Sequence, residues 1–298
     1  MPTENTAPTL SQFVKSAARR LWKGDHLDRS LSKMFRFCSY DGYGQKPIDE
    51  ITASDVYLFM DYIEATQTAR APHGCSENTT NHYVAALSKI FKHAESMGLI
   101  ASAPSILWRN FKERERRFLT NEELAQIYEV LAGRVGKNHP WVQHYITIGI
   151  QTGMRLSEIR SITSKSVVRK DDGNWIHLKH TKNGDERWVP ANGKTLAALE
   201  ALDFCPDMHF QEHPFYSVMA EVRHHVAPND SAFVFHALRH TAASSMANEL
   251  GVNTILIAKL LGHKDLKTTQ KYVHAKASEL QSVAKAMSGV YALSTSQQ

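Results

Sequence analysis

Six polar side chains in the second half of this chain are of types that can act on a phosphodiester. They are two arginines, two histidines, a lysine and a tyrosine: Arg155, Arg239, His236, His263, Lys182 and Tyr272. A guanidinium group is permanently charged and can hold two phosphate oxygens at once. A tyrosine hydroxyl can serve as a nucleophile when a base takes or shares its proton. The set therefore favours chemistry at a phosphate group, provided that folding brings these residues together.

Four short motifs carry five of these residues in a fixed order. They are Thr152–Glu158 (TGMRLSE), His236–Thr241 (HALRHT), Leu261–His263 (LGH) and Thr268–Tyr272 (TTQKY). In this order and spacing they resemble the tyrosine recombinase (phage integrase) family. The resemblance covers the chain from about Thr120 to Tyr272. Each motif alone is weak because Arg, His and Tyr are common residues, whereas four motifs in register are specific.

The resemblance implies roles for the charged residues. Arg155 and Arg239 would hold the nonbridging oxygens of the scissile phosphate, where negative charge builds in the transition state. His263 would add a hydrogen bond, and Lys182 would protonate the 5′ oxygen that leaves. Judged without the resemblance, Lys182 would be a solvated charge at a hairpin tip, and Lys179 is a nearby competitor for its role.

The resemblance also implies that Tyr272 is the nucleophile and that His236 is its base. Attack would give a 3′-phosphotyrosyl link that conserves the bond energy, so no metal ion or nucleotide cofactor is expected. Two residues would support the site. Glu158 lies three residues after Arg155 on one helical face and could orient its guanidinium; on its own this pair would be an ordinary surface pair. His240 would be a buried hydrogen-bonding support.

The first hundred residues predict a helical domain. Apolar residues recur at helical spacing between Phe13 and Ala94 and indicate four amphipathic helices. Ser76 is the predicted N-cap of the last helix, and Gly98 lies just past its end. This helix carries polar groups opposite its apolar face: Asn81, His82, Lys89 and Lys92. From the residues alone the face could be merely solvated, whereas the resemblance implies that it contacts DNA phosphates or base edges.

The second domain is predicted to begin after a charged connector, residues 112–117. Thr120 and Glu123 form a capping-box pattern that opens a helix. Between Ser166 and Pro190 the apolar period becomes extended, with two turn signals, which predicts three short antiparallel strands. Gly153 is predicted to end one helix and to deliver Arg155 to the surface at the start of the next, and Gly262 is predicted to end another helix and to leave His263 in the loop just outside it.

Composition limits the class of protein without fixing it. The formal net charge of +5 and the pI near 9.0 favour a polyanionic partner. Cys38, Cys75 and Cys205 are far apart, so neither a disulfide framework nor a zinc finger is indicated. Four histidines lie between residues 203 and 232 without metal-ligand spacing on an evident helix, which predicts surface histidines and no metal site: His209, His213, His224 and His225. No apolar run approaches the roughly 18 residues of a membrane span.

The predicted fold is mainly α with a small antiparallel β-sheet, in two domains. We assign residues 1–9 to a disordered lead, 10–111 to a helical core-binding (DNA-binding) domain and 112–117 to the linker. Residues 118–277 form the mixed α/β tyrosine recombinase catalytic domain, and 278–298 form a C-terminal helix and tail. The tail has an apolar stripe at i, i+3, i+4 and i+7, which must be buried on its own domain or on a neighbouring protomer.

The favoured function is a site-specific DNA recombinase (integrase) that acts for a phage or another mobile element in the bacterial cytoplasm. Its expected partners are double-stranded DNA attachment sites, three further copies in a homotetramer on synapsed DNA, and accessory DNA-bending or directionality factors. The free chain is expected to be a monomer and to avoid membranes. An Xer-like chromosome-dimer resolvase is the alternative of the same chemistry. The short length argues against a type IB topoisomerase, and the short segment before Leu10 argues against a separate arm-binding domain. A catalytically inactive DNA-binding protein of the same fold is the alternative of another class.

Overall fold

The computed structural model of the chain describes residues 7–68, 71–111, 116–133, 137–179 and 186–272. Two compact units make up the chain, Met1–Arg114 and Glu115–Gln298, and the boundary between them falls inside the predicted connector. Each unit has a hydrophobic core of its own. The predicted C-terminal helix at residues 278–298 lies outside the described residues, as do residues 112–115 of the connector.

Four α-helices build the described part of the first unit, as the sequence predicted: α1 (Leu10–Leu21), α2 (Asp25–Ser39), α3 (Ala53–Ala65) and α4 (Glu77–Ser96). Ser76 caps α4 by accepting the Thr79 N–H, and Gly98 follows its end with φ +70°. The prediction of a disordered lead is wrong for residues 7–9, which are ordered before α1. Thr9 is the N-cap of this helix and forms a capping box with Gln12.

Buried aromatic rings join three of these helices. Phe37 on α2 lies edge-on to Phe59 on α3 with ring centroids 5.0 Å apart, and Phe59 is 5.6 Å from Tyr83 on α4. Such pairs contribute about 1 kcal/mol each beyond the burial of their area. The first unit is therefore held together by side chains on the apolar faces that the helical period predicted.

The second unit is mixed α/β. Its described helices are α5 (Asn121–Ala132), α6 (Trp141–Thr152), α7 (Leu156–Arg160), α8 (Gly193–Glu200), α9 (Pro206–His209), α10 (Glu212–Val226), α11 (Phe235–Asn248), α12 (Thr254–Leu261) and α13 (Leu266–Gln270). The predicted capping box at its start is confirmed: Glu123 donates its N–H to the Thr120 hydroxyl and accepts the Thr120 N–H.

Three short strands form the predicted antiparallel sheet in the order β1 (Val167–Lys170), β2 (Gly173–Leu178) and β3 (Arg187–Pro190). Ile176 pairs with Val189, and Leu178 pairs with Arg187 at the end of the β2–β3 ladder. Side chains alternate between the two faces of a strand. Arg187 and Val189 therefore share the inner face of β3, and both are buried.

A close helix crossing positions the elements of the site. Gly149 on α6 lies against α11, where an added Cβ would be 2.9 Å from the Phe235 ring and 3.3 Å from Leu238. Glycine allows the two helices to approach at this point. The end of α6, which leads to Arg155, consequently lies beside Arg239 on α11.

Candidate active site

Arg155 stands at the junction between two helices. Gly153 ends α6 in the left-handed conformation, with φ +65°, and Arg155 is the extended N-cap residue of α7. Its Nη1 donates to Glu158 Oε1 at 2.7 Å, and its backbone N–H donates to Oε2 at 2.7 Å. The predicted pairing of Arg155 with Glu158 is thus present. The Arg155 side chain keeps 20% of its surface exposed, which leaves room for an anion on its outer side.

Glu158 is not part of a surface pair, because only 2% of it is exposed. Two further guanidinium groups approach its carboxylate. Arg187 donates from Nη1 and Nη2 at 2.8 and 2.9 Å, and Arg239 Nη1 lies 4.0 Å away. Burial alone would raise the pKa of Glu158, but the hydrogen bonds and charge of Arg187 and Arg155 lower it. The carboxylate therefore stays ionised among three arginines.

Arg239 is buried on α11 and joins the ends of two other helices. Its Nη1 donates to the Gly153 carbonyl at 2.8 Å, and its Nη2 donates to the Leu261 carbonyl at 2.7 Å. These bonds use two of the five N–H groups of a guanidinium. Burial and the charge of Arg155 lower the pKa of Arg239 to about 9, so the group is still protonated at neutral pH.

His263 occupies the loop after α12, as predicted. Gly262 ends that helix in the left-handed conformation, with φ +68°. His263 Nδ1 lies 2.7 Å from the hydroxyl of the buried Thr269. When that hydroxyl donates to Nδ1, the ring carries its proton on Nε2, which can then donate to an anion. Burial and the charges of Arg239 and Arg155 lower the pKa of His263 to about 4.

Tyr272 follows α13 and is 1% exposed. Its ring packs in a small apolar cluster with Ala243, Ile257 and Leu261. Its hydroxyl is 2.7 Å from His240 Nδ1, and its ring is stacked on His263 with centroids 6.3 Å apart. Burial raises the pKa of Tyr272, against an opposing effect of nearby arginines. The phenol is therefore protonated at neutral pH in this arrangement.

The histidine beside Tyr272 is not the one that the sequence favoured. His236, predicted as the base, is exposed and contacts the His240 ring with centroids 4.7 Å apart. His240, predicted only as a support, is the histidine within hydrogen-bond distance of the Tyr272 hydroxyl. Tyr272 packs on the C-terminal half of α11, where Asn248 donates to its carbonyl, so it meets the later of the two histidines.

Both histidines are neutral at pH 7. Desolvation, followed by the charges of Arg239 and Arg155, lowers the pKa of His236 to about 4. Desolvation, followed by the influence of His236 and Arg116, lowers the pKa of His240 to about 4. A neutral imidazole has one nitrogen that can accept a proton. His240 is thus able to accept the hydrogen bond of the Tyr272 phenol.

Two arginines at this site were missed by the sequence analysis. Arg187 contacts Glu158, and Arg116 places its guanidinium 4.6 Å from the centre of the Tyr272 ring and donates to the Thr268 carbonyl at 3.3 Å. A signal existed for Arg187, because an arginine two residues from the apolar Val189 on a strand must point inward and needs a partner. Arg116 was assigned to the linker, and no local pattern marks its contact.

The predicted lysine cannot be placed. Lys182 belongs to residues 180–185, which lie outside the described residues. Its role therefore stays a prediction. Lys179, its competitor, is exposed directly after β2.

One of the four predicted DNA-contact residues of the first unit has a different task. Asn81 is only 5% exposed, and its side-chain amide donates to the Arg109 carbonyl and accepts the Arg109 N–H, both at 2.8 Å. This correction arises because the segment that follows α4 folds back over its polar face. His82, Lys89 and Lys92 are exposed, although Lys89 also donates to the Leu21 carbonyl at 2.6 Å.

The described residues contain neither a cluster of metal-ligand side chains nor a membrane-spanning helix. No group of three or more His, Cys, Asp or Glu side chains could hold a metal ion there. No helix in the described ranges is long and apolar enough to cross a membrane. Of the four histidines between residues 203 and 232, His209 is bonded to Asp203 at 3.0 Å.

Comparisons with known proteins identify the family of the chain. The model of the phage integrase family matches residues 117–279, and the model of the phage integrase SAM-like domain matches residues 10–112. The first match alone covers more than half of the chain. The chain belongs to the phage integrase family, the tyrosine recombinases.

Curated relatives include both cellular and viral enzymes. Tyrosine recombinase XerC of Bacillus licheniformis is 25% identical over 281 residues, which cover 84% of this chain and 85% of the relative. The integrase of Haemophilus phage HP1 is 26% identical over 262 residues, which cover 86% of this chain and 73% of the relative. The relatives therefore include a bacterial recombinase and a phage integrase.

Solved structures share the fold. The Tn1549 transposon integrase in complex with a circular intermediate DNA matches with a TM-score of 0.69 at 19% identity, over 94% of this chain and 99% of that one. The XerH recombinase bound to its difH substrate matches with a TM-score of 0.64 at 18% identity, over 95% and 97%. These matches over nearly the whole chain confirm the predicted fold, which is mainly α with a small antiparallel sheet in two domains.

Proposed function

We propose that this chain is a site-specific recombinase that cleaves and rejoins double-stranded DNA through a 3′-phosphotyrosyl intermediate. The observation that carries the proposal is the placement of Tyr272. Its hydroxyl lies 2.7 Å from His240 Nδ1, its ring lies nearly parallel to that of His263, and the charges of Arg239 and Arg155 act to lower its pKa against the effect of burial. A nucleophile next to two arginines and neutral histidines is the arrangement that attack on a phosphodiester needs.

In the proposed step the Tyr272 oxygen attacks the phosphorus, and the bond from phosphorus to the 5′ oxygen breaks. Arg155 and Arg239 bind the nonbridging oxygens, and His263 donates one further hydrogen bond. Each such donor typically contributes roughly 3 kcal/mol to the stability of the transition state. The 5′ oxygen takes a proton from Lys182. Attack by the 5′ hydroxyl of another strand reverses the step and joins the strands in a new combination.

The phenolic proton needs an acceptor. His240 Nδ1 already lies 2.7 Å from the Tyr272 oxygen, and the pKa of His240, lowered to about 4, keeps the ring neutral at pH 7. In the tautomer that carries its proton on Nε2, Nδ1 accepts the phenolic hydrogen bond. We therefore assign His240 as the first proton acceptor in the described conformation. His236, the base that the resemblance implied, lies one helical turn away and contacts His240.

The biological role within this chemistry has two candidates. Integration or excision of a phage or another mobile element is supported by the HP1 phage integrase and by the fold of the Tn1549 transposon integrase. Resolution of chromosome dimers is supported by the relatives named XerC. Selection of bound sequences from random DNA, followed by cleavage mapping, gives the target and its spacer. A target at the ends of an element favours the first role, and a single chromosomal target favours the second.

The proposed assembly is a monomer in solution and a homotetramer on two synapsed DNA sites, with accessory DNA-bending or directionality factors in the cytoplasm of a bacterial host. A catalytically inactive DNA-binding protein of this fold is disfavoured, because both arginines, His263 and Tyr272 are present and mutually positioned.

Covalent trapping tests the proposal. A nicked suicide duplex loses the short leaving strand after cleavage, so the protein stays attached to the DNA. Wild-type chain is expected to form this adduct without added metal or nucleotide. Tyr272→Phe removes only the phenolic oxygen and keeps the ring, so the variant should bind the duplex and form no adduct. A normal adduct yield with Tyr272→Phe would falsify the assignment of the nucleophile.

A further inference from the structure

Arg155 and Arg187 both donate hydrogen bonds to the Glu158 carboxylate, and each oxygen accepts one bond from each arginine. Its Oε1 accepts from Arg155 Nη1 at 2.7 Å and from Arg187 Nη1 at 2.8 Å. Its Oε2 accepts from the Arg155 backbone N–H at 2.7 Å and from Arg187 Nη2 at 2.9 Å. Arg187 thus makes the two-pronged contact that fixes the plane of the carboxylate. Arg155 uses one side-chain nitrogen for Glu158, so its remaining donors can serve another anion.

Arg187 also packs against the loop that carries His263. A Cβ placed on Gly262 would lie 2.5 Å from Arg187 Nη1 and 3.2 Å from Cδ and Cζ. The guanidinium therefore lies directly on the backbone of Gly262. One side chain consequently borders both the carboxylate that orients Arg155 and the turn that delivers His263.

The burial of Arg187 is energetically unfavourable for a side chain that serves packing alone. It is 8% exposed, and its Nε has no hydrogen-bond partner among the described residues. A buried donor without a partner lowers stability, and a buried ion pair can often be replaced by apolar side chains without loss of stability. A cost of this kind is expected where a residue is retained for the geometry of a site.

Arg187 also begins β3, opposite Leu178 at the end of the β2–β3 ladder. Residues 180–185, which include Lys182, lie between these two strands in the sequence. Anchoring Arg187 on Glu158 therefore ties this end of the sheet to α7.

We propose that Arg187 is a positioning residue for DNA cleavage, which holds Glu158 so that Arg155 faces the scissile phosphate and which supports the Gly262–His263 turn. The proposal rests on the proposed function. Arg187 itself does not touch the substrate in this scheme; it acts through Arg155 and His263. Misplacement of a catalytic group by about 1 Å can slow a reaction roughly 100-fold.

The test compares Arg187→Ala and Arg187→Lys with a matched control, Arg160→Ala. Arg160 lies two residues after Glu158 on α7, but its side chain pairs with Asp207 at the surface and not with Glu158. Single-turnover adduct formation on the suicide duplex is measured together with half-site affinity and thermal unfolding. We expect Arg187→Ala to react about 100-fold more slowly with nearly unchanged affinity. Arg187→Lys should lie in between, because an ammonium group cannot bridge both carboxylate oxygens. Arg160→Ala should react like the wild type.

A second substrate separates positioning from general damage. A methylphosphonate at the scissile position lacks the charge of one nonbridging oxygen, so it needs less help from the arginines. The rate deficit of Arg187→Ala should shrink on this substrate, as should that of Arg155→Ala. If Arg187→Ala does not fold, Arg187→Lys carries both measurements.

The outcomes are distinguishable. Wild-type chain that forms no adduct would contradict the proposed function, whatever the variants do. A wild-type enzyme that cleaves, with Arg187→Ala or a folded Arg187→Lys at the wild-type rate, would overturn the role of Arg187. The same conclusion would follow if the deficit were equal on phosphate and methylphosphonate.

Discussion

The Tyr272 hydroxyl is enclosed by protein and hydrogen-bonded to a neutral histidine, so the nucleophile is held as a protonated phenol. Two changes are needed before it can react: the oxygen must reach the phosphorus, and its proton must leave. The bond to His240 bears on both changes, because it fixes the oxygen and offers a proton acceptor. At the scale of single residues, the choice between His240 and His236 is thus the central question.

Substitution of each histidine by phenylalanine resolves this choice. Phenylalanine keeps an aromatic ring of similar size at the position but has no nitrogens, so packing on α11 is largely retained. We expect His240→Phe to slow adduct formation by roughly 100-fold or more, as is typical for loss of a general base. His236→Phe should have the smaller effect on the same suicide duplex. A larger loss in His236→Phe would restore the assignment that the resemblance implied.

The leaving group gives a separate prediction for Lys182. A sulfur at the 5′ bridging position leaves without a proton, so it bypasses a general acid. Lys182→Ala should cleave an ordinary duplex very slowly and recover on the 5′-phosphorothiolate duplex, whereas Arg155→Ala and Arg239→Ala should recover little. Lys179→Ala is the matched control and should cleave both duplexes normally. Rescue of Lys179→Ala in place of Lys182→Ala would transfer the role to the competitor.

At the scale of elements, the polar face of α4 is divided between two tasks. Asn81 binds both backbone groups of Arg109, while the Arg109 side chain pairs with Glu64 and Asp61 on α3. The segment after α4 is thereby fixed to two helices. The exposed Lys92 lies further along α4 and is still available for a contact with DNA.

Substitution by alanine should lower the stability of the first unit at Asn81 and change DNA binding at Lys92. Asn81→Ala leaves the Arg109 N–H and carbonyl without their partner, so we expect it to destabilise the first unit by about 2 kcal/mol. Lys92→Ala should change stability by less than about 0.5 kcal/mol. If Lys92 contacts a phosphate, its loss should reduce the salt dependence of DNA binding by roughly 0.9 in log-log slope. Thermal unfolding and binding titrations at several salt concentrations measure both effects. A fully stable Asn81→Ala would contradict the structural role.

The motifs predicted the elements well where the cause is local. Gly153, Gly262 and the Thr120 capping box each act within a few residues, and their consequences for Arg155, His263 and α5 follow from backbone geometry. Contacts between distant parts of the chain have no such signature. Asn81 was misassigned because the polar face of a helix does not show whether a later segment will cover it.

The same reason explains what was missed at the site. Glu158 and Arg187 are 29 residues apart, and His240 and Tyr272 are 32 residues apart. The periodicity of one element cannot specify which side chains of another element it will meet. The sequence could therefore predict the chemical types at the site and their approximate neighbours, but not which histidine contacts the nucleophile.

At the scale of the whole molecule, three histidines of the second unit couple folding to pH. His236, His240 and His263 have a pKa lowered from 6.5 to about 4. Between these values the unfolded chain binds more protons than the folded one, so stability rises with pH. We expect the melting temperature of the second unit to fall as the pH decreases from 7 to 4. Calorimetry and NMR titration of the imidazoles check this, and a constant melting temperature over that window would contradict it.

The C-terminal segment gives a prediction about assembly. A groove of about 740 Å³ on the second unit lies between β3 and α12, and its lining includes Trp188, Met246 and three exposed apolar side chains, Ile255, Leu256 and Leu266. The apolar stripe at residues 280–290 of a neighbouring protomer is our proposed occupant. The apolar lining of the groove matches the apolar stripe, and docking between protomers is what the resemblance to the family implies.

Truncation after Ala277 tests the proposal. Binding to a half-site should stay nearly intact, because the residues that we predict to contact DNA are retained. Synapsis and strand exchange should decrease, since the link between active sites is removed. Sedimentation of the truncated chain on DNA measures the assembly. An undiminished tetramer with ordinary recombination would mean that the segment packs on its own domain.

The position of Arg116 determines how a catalytic fragment should be prepared. Its guanidinium covers the Tyr272 ring, yet the family match begins one residue later, at residue 117. A fragment cut at that boundary would lack this cover and would expose one face of the nucleophile's ring to solvent. Its labelling by a tyrosine-specific reagent, and its rate of cleavage, would then differ from those of the intact protein. A fragment that starts at residue 115 would keep the cover.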